Sequence, residues 1–373
     1  MKVFFCAKCV YPSTKPDLTF NSEGVCSACL AYEEREKIDW KDRENQFKKI
    51  VEEIHTKENP YDCIIPVSGG KDSHFQVLAA LEYGLRPLAV TAETDHLSPL
   101  GRANLDNIGN LGVDHVTVSI NRQLRRNIAR YSLETIGDVS WAEHVTIFTI
   151  PIREAIQRKI PLVIWGENPQ NEYGGPSKAT QNSMDLSSSW LHEFGGLNGL
   201  RVTDIIDAGV ATKEDMYQFI SPPEESRPKS IFLGQYFPWN GLNNANRAKE
   251  HGFKWSTDPV SGTGVPYENL DNYQTGIHDY FKWLKFGFGR ATDIACNYVR
   301  RGYITREHAI RFVNKHDGEF PNFYLKLSLE EVLQNINLSV EQFMVICDKF
   351  TNPQLFETRV EPLTMPELKF KLK

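Results

Sequence analysis

The sequence predicts an α/β fold built on a doubly wound, mostly parallel sheet. Between residues 61 and 240, short apolar runs of strand length alternate with longer runs of helical period. One of these runs, Tyr61 to Val67, is rich in β-branched residues and breaks into a glycine turn that opens a helix. With 373 residues and 40% hydrophobic content, the chain is long enough to bury a substantial core and carry smaller units at either end.

In chain order, the first unit is a metal ribbon over residues 1–35. Cys6, Cys9, Cys26 and Cys29 are spaced C-x2-C-x16-C-x2-C, the pattern of two metal-binding knuckles. Zinc in a structural role is the expected occupant, with an iron–sulfur cluster or disulfides as the other readings. Residues 36–60 read as a linking helix, part of a charged, helix-favouring run from Leu30 to Glu58. Trp40, Phe47, Ile50, Val51 and Ile54 share one face of it, expected to dock the ribbon on the main domain. Strands are expected at Asp62 to Val67, Pro87 to Thr91, His115 to Val118, Pro161 to Trp165 and Ser230 to Leu233. Helices are expected near Ser73 to Tyr83, Gly101 to Leu111, Gln123 to Leu133 and Ile147 to Gln157. Residues 241–373 read as a mostly helical region that completes the active site, with helices at Leu329 to Leu333 and Val340 to Cys347 and a Thr305 cap after Gly302.

Ligands of such a sheet sit beyond the carboxyl ends of its strands. After the first strand comes Ser68-Gly69-Gly70-Lys71-Asp72-Ser73, where glycines let the backbone approach an anion at a helix N-terminus. The bland alternative is an ordinary βα turn. After the second strand, Thr91 and Glu93 open a polar loop at the same end of the sheet. After the fourth, Gly166, Glu167 and Asn168 open a loop whose carboxylates and amides suit magnesium, a sugar or a reacting amide. Residues 176–200 form a polar, glycine-rich stretch expected to be a lid. Lys285 and Arg290, set among Gly287 and Gly289 with Asp293 as orienting partner, suggest a second phosphate contact. Tyr236, Phe237, Trp239 and Trp255 read as packing rather than as a sugar platform.

The net charge of −6 shows no basic footprint for long nucleic acid. No apolar stretch is long enough to insert in a membrane, and residues 1–6 are too short a run for a signal peptide, so the expected location is cytoplasmic.

The Ser68–Ser73 loop resembles the SGGxDS loop of the PP-loop ATP pyrophosphatases, which are adenine nucleotide alpha-hydrolase-like in fold. It lacks the Walker pattern, because Lys71 is followed by Asp72. Taken with the cysteine ribbon, Trp165-Gly166-Glu167-Asn168, the 285–293 stretch and Arg300-Arg301-Gly302-Tyr303-Ile304-Thr305, the chain resembles the N-acetyl sugar amidotransferases. These belong to bacterial surface-polysaccharide (lipopolysaccharide O-antigen) and nonulosonic (pseudaminic) acid pathways. The resemblance implies that ATP and Mg2+ are held by Ser68, Gly69, Gly70, Lys71, Asp72 and Ser73, with Thr91, Glu93, Gly166 and Asn168 completing the nucleotide site. Lys71, Asp72, Glu167, Lys285 and Arg290 would act on the reacting groups, and Zn2+ would be structural. It also implies a sugar substrate, nucleotide-linked or a nonulosonic acid, and ammonia from a glutaminase subunit, with or without a cyclase-like subunit. No Cys-His glutaminase pattern is recognisable in the chain itself. A tRNA thiolase, an asparagine-synthetase-like ligase and a non-catalytic nucleotide-binding subunit are the competing readings.

Overall fold

The computed structural model describes residues 3–55, 59–167, 172–173, 197–357, 366–369 and 372. Five parallel strands run in the order β3-β2-β1-β4-β5: β1 is Cys63–Pro66, β2 Pro87–Ala92, β3 Asp114–Val118, β4 Leu162–Trp165 and β5 Lys229–Phe232. Each lies within a residue or two of its expected position. Alternate strand residues serve opposite faces. Ile64, Leu88, Val90 and Val163 enter one core with α5 (Arg122–Ile136) and α6 (Trp141–Arg158). Cys63, Ile65, Ala89 and Ile164 enter the other. That second core is covered by α2 (Trp40–Ile54), α3 (Lys71–Glu82) and α4 (Pro99–Asn110). Burial on both faces explains why the strands read as continuous apolar runs.

The chain leaves β1 toward β2 and β3 on one side, and β4 and β5 lie on the other. The strand order therefore reverses between β1 and β4, and a crevice opens beyond their carboxyl ends. The turn after β1 is tight. Gly69 has φ of +84°, and a Cβ there would come within 2.8 Å of the Leu105 nitrogen on α4. Gly70 is the N-cap of α3, which starts at Lys71, two residues earlier than its apolar spacing indicates, because the periodic signal begins only after the polar first turn.

Several expectations change. The run from Leu30 to Glu58 is not one helix: α1 covers Ser27–Arg35, and α2 starts at Trp40, where the Asp39 side chain accepts from the backbone N–H groups of Lys41 and Asp42. Nor does α2 dock the ribbon. Its Phe47, Ile50 and Ile54 pack beside the sheet, whereas Cys9, Val10 and Tyr11 of the ribbon pack with Phe288, Ala295, Cys296 and Ala309. The helix expected over Ile147 to Gln157 runs from Trp141 to Arg158 and contains Pro151. After the short α7 (Val202–Asp207), the remaining helices are α8 (Gly241–Glu250), α9 (Thr275–Phe286), α10 (Arg290–Arg300), α11 (Arg306–His316), α12 (Leu329–Asn335) and α13 (Val340–Phe350). A two-stranded hairpin, β6 (Phe323–Tyr324) and β7 (Leu327–Ser328), precedes α12. Between α8 and α9 the chain crosses back over the sheet. Leu97 bridges Asn272, and Ser98 donates its N–H to the Asp271 carbonyl (2.7 Å). That crossing brings Tyr267 and Glu268 over the glycine turn. Among the described residues, no helix is long and apolar enough to cross a membrane.

Gly69→Ala is expected to cost about 2 kcal/mol or more, since it combines a left-handed φ with a clash against α4 backbone. Urea denaturation of the two proteins measures it, and an unchanged midpoint would show that the turn is free to relax.

Candidate active site

Two lobes of one cleft meet above the β1–β4 crevice. The first, about 690 Å³, is lined by the Ser68–Ser73 loop, Asn104 on α4 and the 267–271 crossing. The loop is organised by its own side chains. The Ser73 hydroxyl accepts from the Ser68 N–H (3.0 Å), and the Ser68 hydroxyl accepts from the Gly70 N–H (3.4 Å). His74 Nδ1 lies 2.9 Å from the Gly70 carbonyl, and Asn107 reaches His74 Nε2 at 3.1 Å. Burial pushes the imidazole pKa down, so a neutral ring donates from Nδ1 and accepts at Nε2. The first turn of α3 then presents its free N–H groups to the lobe.

The second lobe, about 460 Å³, lies between β4, α8 and α10. Among the described residues, five carboxylates line it, Asp72, Glu167, Glu172, Glu268 and Asp293, against three cations, Lys71, Arg290 and Arg301. Tyr173, Trp239, Tyr267 and Tyr298 form its aromatic walls.

A buried ion triad separates the lobes. Glu268 Oε1 lies 2.7 Å from Lys71 Nζ, and its Oε2 lies 2.8 Å from Arg290 Nη2. Lys71 also meets Asp72 (2.8 Å), whose other oxygen accepts from Asn244 (2.9 Å). Burial pushes the Glu268 carboxyl up, but the two cations override it and hold its pKa at about 2. Burial alone would neutralise Lys71, yet Asp72 and Glu268 hold its ammonium protonated.

Glu167 is placed differently. Its described hydrogen bond is a long one from the Tyr173 hydroxyl (3.4 Å). Burial, reinforced by Asp72 and Glu172, pushes its pKa up to about 8. It is the lobe's carboxylate poised to exchange a proton near neutral pH. Gly166 holds it there by close approach: a Cβ at Gly166 would lie 3.1 Å from Trp239. The Gln76 amide ties both loops, accepting from Gly166 N (2.6 Å) and donating to the Asp72 carbonyl (3.2 Å).

The cleft thus brings together Ser68, Gly69, Gly70, Lys71, Asp72, Ser73, Glu167 and Arg290 from the sequence reading. Three other residues stand apart. Lys285 donates to the Ile136 carbonyl (2.7 Å), where it caps the C-terminus of α5, and it lies over the Phe350 ring. The cation beside Asp293 is instead Lys282, one turn earlier on α9. Thr91 donates to the Val67 carbonyl (2.7 Å) and meets His115 Nε2 (2.8 Å), stitching strand ends together. Glu93 pairs with Arg102 (2.5 Å). Asn168 and nearly all of the expected lid, residues 176–196, lie outside the described residues. The aromatic segment divides: Tyr236 and Phe237 pack on Phe47 as expected, while Trp239 also lines the second lobe. Sequence reasoning missed Glu268, Asn244 and Arg301. Glu268 stands in an irregular crossing with no motif, and only the need of two buried cations for an anion points to it.

The four cysteine sulfurs lie within 4.8 Å of one another, with Cys9 to Cys26 at 3.7 Å and Cys6 to Cys29 at 3.9 Å. A tetrahedron with Zn–S bonds of about 2.3 Å has edges of about 3.8 Å, so the donor set fits zinc. The N–H groups of Cys26 and Cys9 approach the Cys6 sulfur at 3.2 and 3.5 Å, as thiolate knuckles require. Four sulfurs would fill the coordination shell of a bound zinc ion.

Fold and site together define a doubly wound α/β protein with a glycine turn at the N-terminus of α3 and a cluster of four cysteines whose geometry fits a metal ion. Residues 267–369 match the family described as "LPS biosynthesis protein WbpG-like, C-terminal domain". That span includes Glu268, Arg290, Asp293 and Arg301. No curated protein matches the chain. Among solved structures, NMN synthetase from Francisella tularensis matches 60% of this chain and 99% of its own, at 16% identity and a TM-score of 0.29.

Metal analysis should find about one zinc per chain, and chelation should lower the melting temperature. Cys26→Ser should lose the metal while Cys63→Ser, in β1, keeps it; a brown, iron-containing protein would assign the site to an iron–sulfur cluster instead.

Proposed function

We propose that the protein is an ATP-dependent amidotransferase of surface-polysaccharide biosynthesis, converting the acetamido group of an N-acetylated sugar to an acetamidino group. The two-lobed cleft carries this reading: an anion loop for the polyphosphate opens directly onto a second, aromatic-walled lobe across Lys71, Glu268 and Arg290. The match of residues 267–369 to the WbpG-like family supports the pathway.

An amide oxygen is a poor leaving group, so it must be activated. The oxygen attacks the α-phosphorus of ATP, the α–β bridge breaks, and pyrophosphate is left in the Ser68–Ser73 loop. Ammonia then adds to the imidate carbon, AMP leaves with the former amide oxygen, and the nitrogen gives up its surplus protons. Lys71, Arg290 and the α3 N-terminus neutralise the phosphates and position them for attack. Glu167 takes a proton from the incoming nitrogen. Magnesium would supply charge neutralisation on the triphosphate, and the hard carboxylate oxygens of Asp72 suit it. Ammonia comes from a glutaminase partner.

The excess of carboxylates in the second lobe favours a neutral amide over the free acid of a ligase reaction. All seven cysteines are buried and none lines either lobe, which disfavours a thiolase.

Pyrophosphate release with ATP, magnesium, ammonium and candidate N-acetylated sugars tests the reading, with a product about 1 Da lighter than its substrate. Release stimulated only by acids or only by tRNA would overturn it. Ser68→Ala should cut turnover at least about a hundredfold while leaving the fold intact, and Lys71→Ala should cut it as much while also lowering stability, because it leaves Glu268 short of one cation. Glu167 is neutral below its pKa of about 8, so at fixed free-ammonia concentration kcat/KM should rise with pH and level off above that value. Glu167→Gln should remove that rise, and a limb that survives the substitution would assign it to another group.

A further inference from the structure

The ribbon touches the carboxylates of the second lobe through two side chains. Tyr11, wholly buried between its knuckles, donates its hydroxyl to Asp293 Oδ1 (2.9 Å). Arg35, at the end of α1, pairs with Glu172 Oε1, whose Oε2 accepts from Arg301 (2.7 Å). Both carboxylates face the lobe, and neither is held by its own element alone.

We propose that the metal ribbon is a working wall of the substrate lobe, with Tyr11 and Arg35 as positioning residues acting through Asp293 and Glu172. The inference rests on the functional reading for its kinetic consequence but not for its geometry. Asp293 stands beside Lys282 and 4.0 Å from Arg290 Nη1. With the Tyr11 hydroxyl in place, one Asp293 oxygen is occupied, and Arg290 directs its short contact, 2.8 Å, to Glu268. Without that hydroxyl, Asp293 competes for Arg290 and the triad loosens. Arg35 acts similarly on Glu172. A carboxylate 3% exposed needs both its cations, and loss of one leaves charge uncompensated beside Glu167. The contact is well backed. Arg300 lies 5.6 Å from the Tyr11 ring centre and donates to the Glu172 carbonyl (2.6 Å), while Arg306 donates to the Cys9 carbonyl (3.1 Å) of the first knuckle. Integrity of the knuckles therefore sets the position of two lobe carboxylates more than 100 residues away in sequence.

The test uses Tyr11→Phe, Arg35→Ala and Arg35→Lys in the full chain. Each should keep the metal content of the parent. Hydrogen exchange should rise about tenfold in peptides covering Arg290 to Arg301 while peptides of α3 stay protected, and Arg35→Lys should recover part of that protection as a point charge without the fork. With an active assay, KM for the sugar should rise about tenfold while KM for ATP stays within about twofold. Metal-replete variants with parental exchange and an unchanged sugar KM would overturn the proposal. Raised local exchange in a protein that shows no amidotransfer with any sugar would uphold the wall and reject the functional reading instead.

Discussion

The architecture of the cleft depends on one carboxylate. Glu268 sits between Lys71, the first residue of α3, and Arg290, the first residue of α10; it is as buried as Lys71, and Arg290 is somewhat more exposed. Removing any one member of such a group leaves an uncompensated buried charge, a cost of about 3–5 kcal/mol. The triad therefore pins three elements that are far apart in sequence: the glycine turn after β1, the crossing that follows α8, and the N-terminus of α10. Both helices are entered through a glycine N-cap followed at once by a cation, Gly70-Lys71 and Gly289-Arg290. Two positive helix ends and two cations converge where the lobes meet, and Glu268 is the anion that makes this convergence stable.

The same arrangement bears on how a phosphate group is received. Any anion entering the first lobe shares Lys71 and Arg290 with Glu268, so it meets preoriented cations whose charge is already partly balanced. Preorganisation of this kind keeps two cations fixed at the cost of some affinity. On the second lobe's side, carboxylates outnumber cations among the described residues. The raised pKa of Glu167 follows from its burial, reinforced by Asp72 and Glu172. The triad thus divides a lobe suited to anions from one suited to neutral or cationic groups.

Much of the fold was legible in the sequence because parallel strands buried on both faces leave an unmistakable signal, and all five strands lie close to where their apolar runs place them. Helix starts were harder. Those of α3 and α6 are polar or interrupted, so periodicity begins after the backbone has already turned. The Ser68–Ser73 turn was legible for a local reason: the glycine turn, the helix cap and their hydroxyl partners lie within six consecutive residues. Glu268 was not, since its role is defined by partners 197 and 22 residues away. Lys285 misled for the converse reason. A lysine near glycines looks like a phosphate ligand, but on a helix ending in Gly287 its side chain turns back to the carbonyl end of α5.

The ribbon shows how a small unit gains stability and gives geometry in return. Residues 3–35 cannot bury a core of their own; the cysteines supply the cross-link, and the apolar surface around Tyr11 is completed by α10 and α11. This packing requires polar groups at its edge to be satisfied, and the partners available there are Asp293 and Glu172, which also face the cleft. A unit attached only for stability would meet a surface remote from the cleft. Here the docking face is the reverse side of α10, whose first turn carries Arg290. The Tyr11 contact with Asp293 and the Arg290 contact with Glu268 thus lie on the same turn of α10.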